Sequence, residues 1–195
     1  MKSVIETRIK ESIAVKTKIL HDDNLLSEIE NLTKEVINTI TSGGRIFLCG
    51  NGGSASDALH IAGELVGRFQ RERSAWSAIV LNCDVATMTS IANDYGYEEV
   101  FSRQITAHIR EGDLLLGFST SGNSENICRA VQKAKELGGK TAVFTGGSGG
   151  KLRDMVDIAI IIPDTITARV QESHIMLGHI LCELAEDELT GYAHE

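Results

Sequence analysis

From residue 45 onward the chain alternates short apolar runs with segments of helical period, and no other feature limits the fold as much. The runs are RIFLC at 45–49, SAIVLN at 77–82, DLLLGFS at 113–119, KTAVFTG at 140–146 and IAIIIP at 158–163. Each is apolar on both faces and bounded by Gly, Asp, Asn or Ser. Continuous apolar runs of this length suit strands buried on both sides of a parallel sheet. Helical segments lie between them at 54–70, 84–93, 97–109 and 123–138, with a short one near 150–156. The alternation predicts a doubly wound α/β fold, an approximately five-stranded parallel sheet flanked by helices.

The ends of the chain read as helix. Leu25, Leu26, Ile29, Leu32, Val36, Ile37 and Ile40 recur at steps of 3 and 4, and Gly43 and Gly44 then stop the pattern. This gives N-terminal helices at 3–20 and 23–42, and a long C-terminal helix at 165–190. The chain divides as one domain into N-terminal helices (1–43), an α/β core (44–163) and a C-terminal helix (164–195). These terminal helices exceed what one sheet needs for cover. They form an oligomer interface, or they complete the layers of the monomer; the pattern leaves both open.

A length of 195 residues is enough for one medium domain with its own core, and 42% apolar with 24% charged residues is ordinary for a soluble protein. A net charge of −8 argues against a nucleic-acid surface, which needs basic patches. It leaves an anionic small substrate open, because local donors bind such a group. Cys49, Cys83, Cys128 and Cys182 show no C-x-x-C spacing and read as reduced thiols of a cytoplasmic protein. The N-terminus mixes charges of both signs and is neither a signal nor a transit peptide, and no apolar run approaches the roughly 20 residues of a membrane span.

Ligands of open α/β sheets bind beyond the C-terminal ends of the strands. The loop GNGGSAS at 50–56 formally matches G-x-G-x-x-A through Gly50, Gly52 and Ala55. The acidic partner of a dinucleotide site is missing, since Asp84 lies too far on, so no nucleotide cofactor is expected. The loop STSGNSEN at 119–126 clusters the hydroxyls of Ser119, Thr120, Ser121 and Ser124 at a helix start. Hydroxyls with free N–H groups and no lysine suit a monoester phosphate. A capping box with Glu125 explains one or two of these residues but not four.

His60 and Glu64 stand at i and i+4 on one helix face, with Asp57 one turn earlier. A lone pair of this kind is usually surface electrostatics, but this helix begins at the glycine loop. In RVQESHIMLGHIL, Gln171, Ile175 and His179 step by four, with Glu172 and His174 beside them, inside an otherwise apolar helix. Two histidines, a glutamate and a glutamine in nine residues are unusual there and point to function; polar groups satisfied at a helix interface are the lesser alternative.

Together, CGNGGSASDALHIAGELVGRF, IANDYGY, STSGNS and RVQESHIMLGHI resemble the bacterial sedoheptulose 7-phosphate isomerases (phosphoheptose isomerases), which are sugar isomerase, or SIS, domain proteins with a flavodoxin-like sheet. The resemblance covers nearly the whole chain. It implies conversion of sedoheptulose 7-phosphate to D-glycero-D-manno-heptose 7-phosphate, which opens the route to nucleotide-activated heptose for lipopolysaccharide and other surface glycans. It implies one zinc ion per subunit and a homotetramer with active sites shared between subunits, without nucleic-acid or membrane partners. It implies phosphate contacts at Ser119, Thr120, Ser121 and Ser124, and sugar contacts at Asn51, Gly52, Gly53, Glu64, Asn93, Asp94 and Gln171. The implied zinc ligands are His60, Glu64, Gln171 and His179, and the implied acid/base pair is Glu64 and His179. The eight residues from Gln171 to His179 span about 12 Å of regular helix, too far for one ion. The helix is irregular, or one residue is not a ligand, or two chains contribute, which is the reading preferred here. The alternatives are a non-catalytic sugar-phosphate-binding SIS domain or a replication-initiator-associating protein with the same fold; the latter branch is implied to lack the glutamate and final histidine, whereas this chain keeps Glu64 and His179.

Overall fold

In the computed structural model, which describes residues 1–192, the five apolar runs form strands β1 (Ile46–Gly50), β2 (Ala78–Val80), β3 (Leu114–Phe118), β4 (Lys140–Gly146) and β5 (Ile158–Ile162). All pairings are parallel and the spatial order is β2-β1-β3-β4-β5. The helices are α1 (Lys2–Leu20), α2 (Asp23–Thr41), α3 (Gly53–Val66), α4 (Val85–Tyr95), α5 (Ser102–His108), α6 (Glu125–Glu136) and α7 (Thr167–Thr190). The last three residues of the C-terminal segment expected at 164–195 lie outside the described residues.

Strand periodicity sorts the two cores. Ile46 and Leu48 of β1 face one cluster with Leu32, Val36, Ile61, Leu65, Leu177 and Leu181. Phe47 and Cys49 face the other, with Phe101, Ile105, Ile127 and Val131. Each fully buried aliphatic or aromatic side chain contributes roughly 1.5–3 kcal/mol of transfer free energy. Alternate residues of one strand therefore cement helices on opposite faces, which is why the runs read as apolar throughout.

Several elements are shorter than the sequence predicts. The helix at 54–70 ends at Val66, and an irregular segment follows it. The helix at 97–109 divides into a 3-10 turn (Tyr97–Glu99) and α5, and the one near 150–156 is only a 3-10 turn (Lys151–Asp154). The run 77–82 pairs over three residues as the edge strand β2.

The terminal helices differ in use. α2 buries Leu25, Ile29, Leu32 and Val36, and α7 buries Val170, Leu177 and Leu181. Both complete the monomer's layers. α1 buries only Val15 and Ile19, and leaves Val4, Ile5, Ile9 and Ile13 at 55–59% exposure. Among the described residues no helix is long and apolar enough to cross a membrane.

His174 on α7 is fully buried beside the rings of Phe118 and Phe144. Its Nε2 meets the Thr145 carbonyl at 3.1 Å, so Nε2 is the protonated nitrogen, and Nδ1 has no partner. Burial pushes its pKa down from 6.5 to about 4. Below pH 6.5 the unfolded histidine takes up a proton that the folded one refuses. The stability present above that pH is therefore lost as the pH falls towards 4. In urea unfolding at pH 7 and pH 4.5, the native chain is expected to lose about 2–3 kcal/mol more than His174→Leu. Equal losses would exclude this residue as the source.

Candidate active site

The strand order reverses direction between β1 and β3, the neighbours from which the chain leaves to opposite sides of the sheet. A crevice forms at such a point, at the C-terminal ends of the strands. β1 leads there into the glycine loop and α3, and β3 into the serine-rich loop and α6. Gly52 turns the chain into α3 with a φ of +57°, a conformation that glycine adopts without the Cβ penalty of other residues.

α3 and α7 lie side by side and run the same way. Gln171 sits against Gly53, where a Cβ would lie 2.3 Å from its Nε2. Two turns later Gly178 sits against Ile61, where a Cβ would lie 2.6 Å from Cδ1. This close approach brings His179 to the exposed face of α3. His179 Nε2 is 2.8 Å from His60 Nε2, and His60 Nε2 is 3.2 Å from Glu64 Oε1. One ligand atom from each of the three residues lies within 4.8 Å of the others. Two imidazole nitrogens and a carboxylate oxygen are a donor set that fits zinc and leaves a coordination position open.

Three of the four residues expected as ligands thus converge within one chain. α7 is continuous from Thr167 to Thr190, and the Gln171 carboxamide lies against Gly53 at the start of α3, where it acts to lower the pKa of Asp57, one turn before His60. Of the three explanations for the eight-residue spacing, an irregular helix is the one the structure removes. His179 reaches His60 and Glu64 without a second chain. Asp57 is buried, its Oδ2 has no partner, and burial raises its pKa against the opposing pull of Gln171 and His60.

The serine-rich loop does not spend its hydroxyls on capping. Ser124 occupies the N-cap position of α6 but makes no side-chain cap bond; its Oγ lies 2.9 Å from Ser119 Oγ. Ser121 Oγ accepts from Asn123 N at 3.2 Å. The first turn of α6 therefore keeps N–H groups that its own N-cap leaves unanswered, beside a cluster of hydroxyls. Asn93 and Asp94 are exposed near the end of α4, and Asn93 Nδ2 donates to Asp94 Oδ1 at 2.8 Å. The bond from this part of the chain to the glycine loop comes from Tyr97, whose hydroxyl donates to Asn51 Oδ1 at 3.0 Å.

The sequence reading missed a clasp behind the histidines. Glu186 of α7 is buried and accepts from the backbone N–H of Phe69, Gln70 and Arg71. Arg73 donates to Glu186 at 3.0 Å and to the carbonyls of Glu64 and Leu65. It thereby binds carbonyls at the C-terminal end of α3, where a cation is favoured. The clasp folds the segment after α3 back so that Phe69 stacks on the His179 ring, centroids 5.7 Å apart. The one available signal was the charge-dense RER beside Trp76, over which Arg73 lies at 3.4 Å.

Fold and site define a class. A SIS domain profile matches residues 10–146. The chain is 48% identical over 191 residues to a phosphoheptose isomerase of Clostridium acetobutylicum, covering 98% of this chain and 97% of that protein. It is 47% identical over 191 residues to one of Leptospira biflexa, covering 97% of each. The solved structure of a phosphoheptose isomerase from Neisseria gonorrhoeae superposes with a TM-score of 0.90 at 36% identity, over 95% of this chain and 98% of that one. The chain belongs to the phosphoheptose isomerase family of SIS domain proteins.

Filling the α3–α7 contact tests this geometry. Gly178→Val is expected to lower stability by about 1–3 kcal/mol in urea unfolding, through overpacking against Ile61. Combined with Ile61→Ala, it should cost less than the sum of the two single changes. An additive double variant would mean that the contact does not set the helix separation.

Proposed function

We propose that the chain isomerises D-sedoheptulose 7-phosphate to D-glycero-D-manno-heptose 7-phosphate, the first step towards nucleotide-activated heptose for lipopolysaccharide and related surface glycans. The observation that carries this reading is the convergence of His60, Glu64 and His179 at the sheet's C-terminal edge, where the serine-rich loop also opens. The phosphoheptose isomerase names of the relatives supply the substrate class.

Ketose–aldose isomerisation removes a proton beside a carbonyl and returns it to the neighbouring carbon through an enediol(ate). Glu64 is the base for the carbon-bound proton, and His179 moves the hydroxyl proton between the two oxygens. Ser119, Thr120, Ser121 and Ser124, with the α6 N–H groups, hold the phosphate and fix the sugar's position. The glycine loop at Asn51, Gly52 and Gly53 lets the backbone approach the sugar, and Asn93, Asp94 and Gln171 supply further polar contacts. Zinc held by His60, Glu64 and His179 would polarise the substrate oxygens and offset the enediolate charge. Gln171, expected as a fourth ligand, lies against Gly53 at the start of α3.

The exposed stripe Val4, Ile5, Ile9 and Ile13 on α1 supports assembly into a homotetramer, with active sites shared between subunits. Cys49, Cys128 and Cys182 are buried and unpaired, which supports a cytoplasmic location.

With sedoheptulose 7-phosphate as substrate, NMR is expected to show the heptose 7-phosphate product. Glu64→Gln and His179→Ala should each lower kcat by about 100-fold or more. A fully active Glu64→Gln would remove that residue as base. Metal analysis of the native chain is expected to find one zinc per subunit, and far less in His60→Ala. Ile5→Glu with Ile9→Glu is expected to yield a smaller assembly by light scattering; an unchanged mass would move the interface elsewhere.

A further inference from the structure

β1 and β3 are paired only as far as Gly50 and Phe118. Beyond that point the glycine loop and the serine-rich loop leave the sheet separately, and the ladder no longer sets their separation. The next residue after the ladder, Asn51, meets Asn126 in the first turn of α6. Asn51 Nδ2 donates to Asn126 Oδ1 at 2.9 Å, and Asn126 Nδ2 donates back to Asn51 Oδ1 at 2.9 Å. The Tyr97 hydroxyl fills the second acceptor position of Asn51 Oδ1. Asn126 is 3% exposed, so water cannot readily replace the pair.

Neither residue owes its amide to local structure. The first turn of α6 needs no carboxamide at Asn126, and this one points away from its own helix. Answering Asn51 in both directions takes a donor atom and an acceptor atom side by side, which a carboxamide supplies and a carboxylate or a single hydroxyl does not. Both acceptor positions of Asn51 Oδ1 are taken, so the sugar contact expected at this position falls to its second Nδ2 N–H and to the loop backbone.

We propose that Asn126 is a positioning residue for the isomerisation: its two-way amide pair with Asn51 ties the phosphate-holding loop to the glycine loop and α3, and so fixes the reacting carbons relative to Glu64. The proposal rests on the serine-rich loop being the phosphate site. Because the phosphate end and the reacting end are held by different loops, a substrate anchored at one end is placed at the other only if the loops keep a fixed separation. Losing the tie therefore leaves phosphate binding intact and harms the chemical step.

The test compares the full-length native chain with Asn126→Ala, Asn126→Asp, Asn51→Ala and the double alanine variant. It reads kcat and KM for sedoheptulose 7-phosphate, and the Kd of inorganic phosphate by calorimetry. Asn126→Asp keeps the size of the side chain and an acid favoured at a helix start, so it serves if the alanine variant folds poorly. It presents an oxygen to Asn51 Oδ1 and should behave like the alanine variant. The expected result is a kcat at least about tenfold lower in each single variant, with phosphate Kd within about threefold of the native value. The double variant should be no worse than the poorer single one. A kcat within twofold of native, losses that multiply in the double variant, or a phosphate affinity that falls in step with kcat would each overturn the proposal. A native chain that turns over the sugar phosphate but takes up no inorganic phosphate would overturn the phosphate-loop reading, and this proposal with it.

Discussion

The site depends on how closely α3 and α7 can approach. Gly178 presents no side chain to Ile61, and Gly53 leaves room for the carboxamide of Gln171. At that separation, His179 on one helix comes within 2.8 Å of His60 on the other, which in turn lies 3.2 Å from Glu64 on its own helix. A β-carbon between the helices would push His179 away from α3, and long side chains cannot recover a lost helix contact without leaving their rotamers.

The surrounding polar structure defends this placement. Glu186 is a buried carboxylate, and such a group is tolerable only when it is fully paired. Three backbone N–H groups and Arg73 satisfy it, and the same arginine binds the carbonyls at the end of α3. The two functional helices are thus joined at the far end of their contact by charge, and along it by close packing. Asn51 and Asn126 do the equivalent work on the other side of the crevice, between the two loops. These ties are polar because they lie at loops, where no apolar layer is available to set distances.

The fold was largely legible because burial on both faces leaves a plain trace. A strand such as LLLGF has no polar face to show, and Leu115 and Leu116 pack into opposite cores. Element ends were less legible. The helix after the glycine loop was read through Arg68 to Gln70, yet it stops at Val66, because the tertiary bonds of Glu186 and Arg73 draw the chain aside. In the site, His60 and Glu64 could be paired from their spacing on one helix, and the serine cluster from its position after a strand. Ser124 stands at the N-cap of α6, but its hydroxyl turns to Ser119 and makes no cap bond. Phe69, Tyr97 and Asn126 close the stretches GELVGRF, IANDYGY and STSGNSEN, but their partners lie on other elements, as do those of Glu186, so their roles could not be read locally.

The sequence by itself determined the sheet, the alternation of helices, the two loops at the strand ends and the polar residues on α3 and α7, because each follows from a period or a turn within a few residues. Only the tertiary structure decided that His179 joins His60 and Glu64 in one chain while Gln171 lies against Gly53. That choice rests on the axial offset between two parallel helices, which their close contacts at Gly53 with Gln171 and at Gly178 with Ile61 set. Spacing along one helix tells which residues share a face; it carries no information about which residues of a distant helix that face will meet.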